Sequence, residues 1–236
     1  MPLVNFTNQH QLGEIVIDSP PLNLFSLELL ADLRSAIHQA TASDIRGLLV
    51  RAEGTDFSAG ADVAVFIGLD ETRAAELEET VLSLIASIEA LPVPALALIH
   101  GQCYAGALEV CLACDLIWAA EGSQIGQIEA VAGGIPYAGG TQRLASRVGV
   151  ARAAEMVFTG AVLPPETLAS WGVLNRVLPA NQLLEEGRAF AQVLASGPTR
   201  AHRTTTGCPQ VSHEPPIPLA CWADLDGPPV KTPRAT

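Results

Sequence analysis

Hydrophobic positions in the first half of the chain alternate between two spacings. Short apolar runs at residues 14–17 and 45–50 predict buried strands, and the segment between them, 26–40, has apolar residues at helical spacing. A second segment with helical spacing, 71–91, is followed after two prolines by an apolar run at 95–100. Because these strands are joined through helices, we expect parallel pairing with right-handed crossovers.

The pattern changes in the second half of the chain. Residues 101–105 read as a loop before a helix that starts near Gly106, and 115–119 as an extended segment. Further helices are predicted at 143–147, 150–159, 165–171 and 180–195. We therefore expect three parts: an α/β core with the functional site, a helical oligomerisation region, and an irregular proline-rich tail, at residues 1–145, 146–206 and 207–236.

The composition indicates extensive burial. Hydrophobic residues make up 49% of the 236 residues and charged residues 16%, and the mean hydropathy is +0.31. Such a chain fits one large domain with a subunit interface, so we expect a homo-oligomer. The apolar run at 93–99 is far shorter than the about 20 residues that cross a bilayer. No membrane span is predicted, and without a secretory signal pattern at residues 1–13 we expect a cytoplasmic location.

Charge and cysteine content exclude several classes of function. The formal charge of −12, from 25 acidic and 13 basic residues, argues against nucleic acid as a partner. The five cysteines lack the spacing of a disulfide scaffold, and Cys111 and Cys114 lie in an apolar stretch, which favours core packing over redox or zinc chemistry. No His and carboxylate residues have ligand spacing, so no metal site is predicted.

Three short segments carry the candidate chemistry. The segment DFSAGAD (56–62) follows a strand with small residues, which let a ligand approach backbone N–H groups. The segment GQCYAGALE (101–109) places Glu109 in the first turn of a helix, where free N–H groups suit a developing oxyanion. The segment GQIE (126–129) precedes GGIPYAGGTQRL (133–144), a glycine-rich stretch that enters a helix. Taken alone, each also fits an ordinary turn or helix start.

Two common enzyme classes do not fit these segments. The glycine-rich stretch lacks the GxxxxGK[ST] pattern of a phosphate-binding loop, and the single lysine of the chain, Lys231, lies in the tail. The GxSxG pattern of a serine hydrolase is also absent.

Together, in this order and spacing, the segments resemble the enoyl-CoA hydratase/isomerase (crotonase) family from about residue 12 to residue 203. That family carries FxAGAD-like, GxxxGGGxEL-like, GQPE and PGxGGTQRL-like motifs, and 57–62, 101–109, 126–129 and 138–144 are similar to them. The resemblance implies the crotonase fold: an α/β spiral of β-β-α units with a C-terminal helical part. It also implies an acyl-CoA thioester substrate and a homotrimer or dimer of trimers.

The same resemblance implies roles for individual residues. The backbone N–H groups of Ala61 and Gly106 would form the oxyanion hole, and Glu109 and Glu129 would be the acid/base pair. The positions implied to bind substrate are Leu22, Ala59, Asp62, Gly133 and Tyr137, with the Ala59 carbonyl on the adenine amino group. No cofactor is expected beyond the coenzyme A of the substrate.

The sequence also departs from the family pattern. Ala105 and Ala107 replace two glycines of a triplet, which destabilises the turn only if these positions need a positive φ. Tyr137 replaces a glycine close to the water site of family hydratases, where its ring could fill the pocket, exclude water, pass a proton, or pack away against the loop. The cation that the family often places near the coenzyme A phosphates is missing, which leaves Arg46 and Arg51 as candidates.

The presence of both glutamates favours hydration of an enoyl-CoA to a 3-hydroxyacyl-CoA, because family isomerases commonly keep only the one at the Glu129 position. Glu109 would be the base toward water and Glu129 the acid, since two carboxyls around one water separate in pKa. Isomerisation, decarboxylation or thioester hydrolysis of a specialised acyl-CoA are alternatives that Tyr137 would favour. A non-catalytic acyl-CoA-binding subunit is an alternative from another class.

Overall fold

A computed structural model of the chain describes residues 2–197, arranged as two sheets with surrounding helices. The strands are β1 (Val4–Gln9), β2 (Leu12–Ile17), β3 (Gly47–Ala52), β4 (Ala95–Ile99), β5 (Gln102–Tyr104), β6 (Leu116–Ala120), β7 (Gln124–Gly126), β8 (Val162–Leu163) and β9 (Arg176–Leu178). The helices are α1 (Leu27–Ala42), α2 (Glu71–Glu89), α3 (Gly106–Leu112), α4 (Gly140–Val148), α5 (Val150–Thr159), α6 (Pro165–Trp171) and α7 (Ala180–Ser196). Short 3-10 helices lie at Val63–Phe66 and Glu129–Ala132.

The larger sheet has the strand order β1-β2-β3-β4-β6-β9, and the smaller sheet has the order β5-β7-β8. Every pair in the larger sheet is parallel except β1 with β2, which confirms the predicted parallel pairing. β1 was not predicted, because its exposed face is polar. A tight turn joins it to β2 through His10 and Gln11, both at positive φ.

Helices cover both faces of the larger sheet. Leu48 and Val50 of β3 join a core that includes the apolar faces of α1 and α2, whereas Leu49 joins a second core with Leu183 and Ala191 of α7. Successive side chains of a strand point to opposite faces, so a strand buried on both faces is apolar throughout. This arrangement explains the uninterrupted apolar runs in the sequence.

Several predicted boundaries need correction. Helices α5 and α6 have the predicted ends, but the strand expected at 45–50 lies at Gly47–Ala52. Residues 101–105, expected as a loop, contain β5, which is too short to show a hydrophobic period. The region expected to be helical, 146–206, also supplies β8 and β9. Its role in oligomerisation stays a prediction, and the tail at 207–236 lies outside the described residues.

Three cysteines, Cys103, Cys111 and Cys114, are buried free thiols, as core packing of the Cys111 and Cys114 pair predicted. Cys208 and Cys221 lie outside the described residues. Within residues 2–197, no helix combines the length and apolarity of a membrane span, and no cluster of three His, Cys, Asp or Glu residues could hold a metal ion.

Candidate active site

Three chain segments bring candidate residues to one edge of the smaller sheet. β5 and β7 pair in parallel, and Ser58 forms a parallel bridge with Cys103 of β5. Because parallel segments run in the same direction, the residues that follow them meet at one edge. Ala61, Gly106 and Glu129 each follow one of these segments.

Two backbone N–H groups lie beside one cavity. Ala61 and Gly106 both line the cavity, and neither N–H has a hydrogen-bond partner among residues 2–197. The residues on either side of Ala61 bind Phe25: the Phe25 N–H donates to the Gly60 carbonyl, and the Phe25 carbonyl accepts from the Asp62 N–H. The Ala61 N–H is therefore not used by this bridge. Two unpaired donors beside a cavity can stabilise a developing oxyanion.

Glu109 is fully buried on α3, and among the described residues only one oxygen of its carboxylate is held. Oε1 accepts hydrogen bonds from the N–H groups of Ala138, at 3.0 Å, and Gly140, at 2.7 Å. Oε2 has no partner in the described part of the chain. Burial raises the pKa of Glu109 to about 7, although the two amide donors and the charge of Arg143 act to lower it. The free oxygen can therefore serve as a base near neutral pH.

Glu129 is the first residue of the 3-10 helix that follows β7, and its side chain is also buried. Its Oε1 lies 3.3 Å from Nε2 of Gln127, and its Oε2 has no partner among the described residues. Burial raises the pKa of Glu129 to about 8, and the charge of Glu109 adds to this rise. A carboxyl that is neutral near pH 7 can donate a proton, so the pair offers one base and one acid.

The cavity beside Glu109 is small. The centre of a water molecule can occupy about 20 Å³ of it, a volume that holds about one water. Tyr137 and Phe66 belong to its wall, with their rings edge-on and their centroids 6.0 Å apart, and Leu84 and Ile85 of α2 extend the wall. Of the alternatives for Tyr137, the structure shows the ring lining the pocket. Burial raises the pKa of its phenol, which keeps the hydroxyl protonated.

Four residues predicted to bind substrate do not line this cavity. The Leu22 carbonyl accepts a hydrogen bond of 3.0 Å from the Ala59 N–H. The Asp62 carboxylate caps a 3-10 helix through the N–H of Ala64, and Gly133 ends the other 3-10 helix at a φ of 76°. These contacts give the four residues structural roles, and their roles toward coenzyme A stay predictions.

The two candidate cations for the coenzyme A phosphates are engaged with other groups of the protein. Arg51 forms ion pairs of 2.5 Å with both Glu14 and Glu53. Arg46 donates to the carbonyl of Gly197 at 2.6 Å. The structure therefore offers neither side chain as an unengaged cation.

Three residues around the pair were not predicted from the sequence. Gln127 is fully buried between Glu129 and Gly140, with its Oε1 unpartnered among the described residues. Arg143 donates to the Ala138 carbonyl and pairs with Glu89. Gln127 and Arg143 lie inside the candidate segments, but no role was predicted for them. Their polar side chains within those segments were the signal that could have identified them. Glu89 gave none, because it is one of several acids on α2.

Comparison with known proteins decides the family. The sequence profile described as enoyl-CoA hydratase/isomerase matches residues 7–211. The chain belongs to the enoyl-CoA hydratase/isomerase family. A probable enoyl-CoA hydratase of Bacillus subtilis (strain 168) is 33% identical over 184 residues, which cover 77% of this chain and 71% of that protein. The enoyl-CoA isomerase/hydratase fer4 of Mycosarcoma maydis is 38% identical over 148 residues, which cover 62% of this chain and 54% of that protein.

Solved structures of the enoyl-CoA hydratase/isomerase family confirm the fold. The enoyl-CoA hydratase of Bacillus anthracis superposes with a TM-score of 0.82 at 29% identity, covering 87% of this chain and 81% of that chain. The fold predicted from the resemblance, the crotonase fold, is therefore correct. The relatives are named for both hydration and isomerisation, so their names support the general function and not one of the two reactions.

Proposed function

We propose that this family member hydrates an enoyl-CoA thioester to a 3-hydroxyacyl-CoA. The observation that carries the proposal is the buried pair Glu109 and Glu129, in which each carboxyl keeps one oxygen without a protein partner among the described residues. An enoyl-CoA hydratase needs a base that deprotonates water and an acid that protonates the α-carbon. Two carboxyls with different pKa values provide both. The name of the Bacillus subtilis relative supports the same reaction.

In the proposed mechanism, the N–H groups of Ala61 and Gly106 donate to the thioester oxygen. Glu109 takes a proton from a water molecule, whose oxygen forms a bond to Cβ while the electron pair of the double bond moves toward the thioester oxygen. Glu129 gives its proton to Cα of the resulting enolate, and transfer of the proton from Glu109 to Glu129 through solvent restores the pair. The two donors stabilise charge that is larger in the transition state than in the substrate.

The assignment of base and acid follows from the contacts of each carboxyl. Oε1 of Glu109 accepts two amide hydrogen bonds, which favour its charged form. Among the described residues, Glu129 has one long side-chain donor, and the charge of Glu109 raises its pKa. Glu109 therefore loses its proton first. We expect a bell-shaped profile of kcat/KM against pH, with its maximum between about 7 and about 8.

Isotope labelling tests this proposal. The enzyme is incubated with 2-enoyl-CoA thioesters of increasing chain length in ¹⁸O-labelled water, and the products are analysed by mass spectrometry. We expect a 3-hydroxyacyl-CoA that carries one ¹⁸O at Cβ. If none of the 2-enoyl-CoA substrates gives a hydrated product, the proposal is wrong.

Isomerisation is the second candidate, and Tyr137 favours it. Its ring lines the cavity where family hydratases have a glycine, and the charges of Glu109 and Glu129 both act on its phenol. A ring at this position leaves less room for water.

For an isomerase, a 3-enoyl-CoA in deuterated water gives the 2-enoyl isomer without oxygen exchange. Tyr137→Gly then raises hydration of crotonyl-CoA, whereas unchanged hydration supports the hydratase; Tyr137→Phe is the control for the hydroxyl group.

We also propose that the chain assembles as a homotrimer or a dimer of trimers. Large apolar side chains on and next to α5 are exposed, and Val150, Phe158 and Val162 are 76%, 79% and 45% exposed. Burial of such side chains favours association. Light scattering after size-exclusion chromatography tests the assembly, and a monomer at micromolar concentration would contradict it.

A further inference from the structure

An ion pair joins α2 to α4 close to the acid/base pair. Nε and Nη2 of Arg143 donate to the two carboxylate oxygens of Glu89, at 2.7 and 2.6 Å. Both side chains are largely shielded from solvent, at 15% and 16% exposure. Two parallel hydrogen bonds between a planar guanidinium and a carboxylate fix the orientation of both groups, unlike a single flexible contact at the surface.

The third arm of the guanidinium reaches the backbone that holds Glu109. Nη1 of Arg143 donates to the Ala138 carbonyl at 2.7 Å, and the Ala138 N–H donates to Oε1 of Glu109 at 3.0 Å. Gly139 lies between the two donors to Glu109, and a Cβ placed on it would be 2.0 Å from Nη1. This segment therefore packs directly against the guanidinium.

We propose that Arg143, held by Glu89, is a positioning residue that keeps the Ala138 and Gly140 amides aimed at Glu109. Arg143 acts through this backbone and not on substrate. The side chain is long and planar enough to make both contacts at once. Nε and Nη2 bind the Glu89 carboxylate, while Nη1 binds the Ala138 carbonyl. The activity measurements below rest on the proposed function of the pair.

The Arg143→Gln variant removes both the donor to the Ala138 carbonyl and a positive charge that lowers the pKa of Glu109. We expect kcat to fall by about 10- to 100-fold with a smaller change in KM, because Glu109 is displaced from its working geometry. The pH midpoint of the ascending part of the kcat/KM profile should be higher than in the parent, because the charged form of Glu109 is less stabilised. Arg143→Lys keeps the charge but not the planar fork of donors, so it should recover only part of the pH midpoint and only part of kcat.

A double-mutant cycle tests the part of Glu89. If Glu89 acts through Arg143, Glu89→Gln combined with Arg143→Gln is no more damaging to kcat than Arg143→Gln alone. Arg147→Gln is the matched control, because Arg147 lies one turn further along α4 and donates to the Cys114 carbonyl at 2.5 Å. This control should lose stability without a change in the pH midpoint.

Three outcomes would each overturn the proposal. They are a folded Arg143→Gln variant with the pH midpoint and kcat of the parent, additive losses of kcat in the double-mutant cycle, and Arg143→Lys with full parental kcat. Titration of the Glu109 carboxyl by ¹³C NMR needs no turnover, and we expect its pKa to rise in Arg143→Gln. Should the parent convert no enoyl-CoA, the proposed function fails, while the same titration of Arg143→Lys still decides the role of Arg143. This variant keeps the charge, so a Glu109 pKa equal to that of the parent would contradict positioning and a raised pKa would support it.

Discussion

The N–H of Gly140 donates a 2.7 Å hydrogen bond to Oε1 of Glu109. A Cβ on Gly140 would lie 2.8 Å from that oxygen and 2.6 Å from Nε2 of Gln127, closer than unbonded atoms normally approach. Gly140 does not have a positive φ, so the carboxylate and not the backbone angle requires a glycine here. The glycine-rich stretch thus binds the Glu109 carboxylate through its amides, in contrast to a phosphate-binding loop.

Gly140→Ala should therefore impair the chemical step more than substrate binding. A displacement of the Glu109 carboxylate of this kind lowers kcat by about 100-fold, with a smaller effect on KM in steady-state kinetics. Thr141→Ala is the control in the same turn, because the Thr141 hydroxyl donates its hydrogen bond to the Gln142 side chain and not to Glu109. Equal kcat values for the two variants would argue against this role of Gly140.

Ala105 and Ala107 should respond to glycine in opposite directions. Ala105 has a φ of 52°, which an L-residue rarely adopts, whereas Ala107 lies inside α3. Ala105→Gly should raise the free energy of unfolding by about 1 kcal/mol through relief of strain. Ala107→Gly should lower it by about 1 kcal/mol because of helix propensity. Chemical denaturation measures both, and a loss of stability in both variants would contradict the strain at Ala105.

Only part of this site could be predicted from sequence. Apolar spacing was sufficient for α5 and α6, whose amphipathic faces are long enough to show a period, but not for β5, which has three residues. The motifs predicted Glu109 and Glu129 as a pair; in the structure both side chains are buried and the charge of Glu109 acts on Glu129, and their catalytic roles stay predictions. The motifs did not predict Glu89, because its contact with Arg143 spans 54 positions and depends on how α2 packs beside α4. They also did not predict that Ala105 takes a positive φ, since glycine is the residue that marks such positions.

The raised pKa values of the pair predict that stability falls as pH rises. The folded-state pKa values, about 7 for Glu109 and about 8 for Glu129, lie above the usual value of 4.5. The folded state therefore binds more protons than the unfolded state between about pH 4.5 and 8, and the free energy of unfolding decreases across this window as pH increases. Glu129→Gln, which cannot ionise, should flatten this dependence and be more stable than the parent at pH 8. An unchanged slope in denaturation experiments would contradict the burial of a titrating carboxyl.

Phe66 should limit the length of the acyl chain. Its ring and that of Tyr137 form part of the wall of a cavity that holds about one water. Phe66→Ala removes this wall, so kcat/KM for eight-carbon relative to four-carbon enoyl-CoA should rise. Val63→Ala is the control, since Val63 lies in the same 3-10 helix but is 66% exposed. A constant ratio in Phe66→Ala would place the acyl chain elsewhere.

If Glu109 and Glu129 act as base and acid in hydration, Glu109→Gln and Glu129→Gln should each lose hydration of crotonyl-CoA. In Glu109→Gln, the amide oxygen can still accept from Ala138 and Gly140, so the loop keeps its hydrogen bonds while the base is lost. We predict that each variant remains folded and loses at least about 100-fold in kcat. Folded variants that both stay within about threefold of the parent would contradict the account, because a general acid or base contributes far more than that.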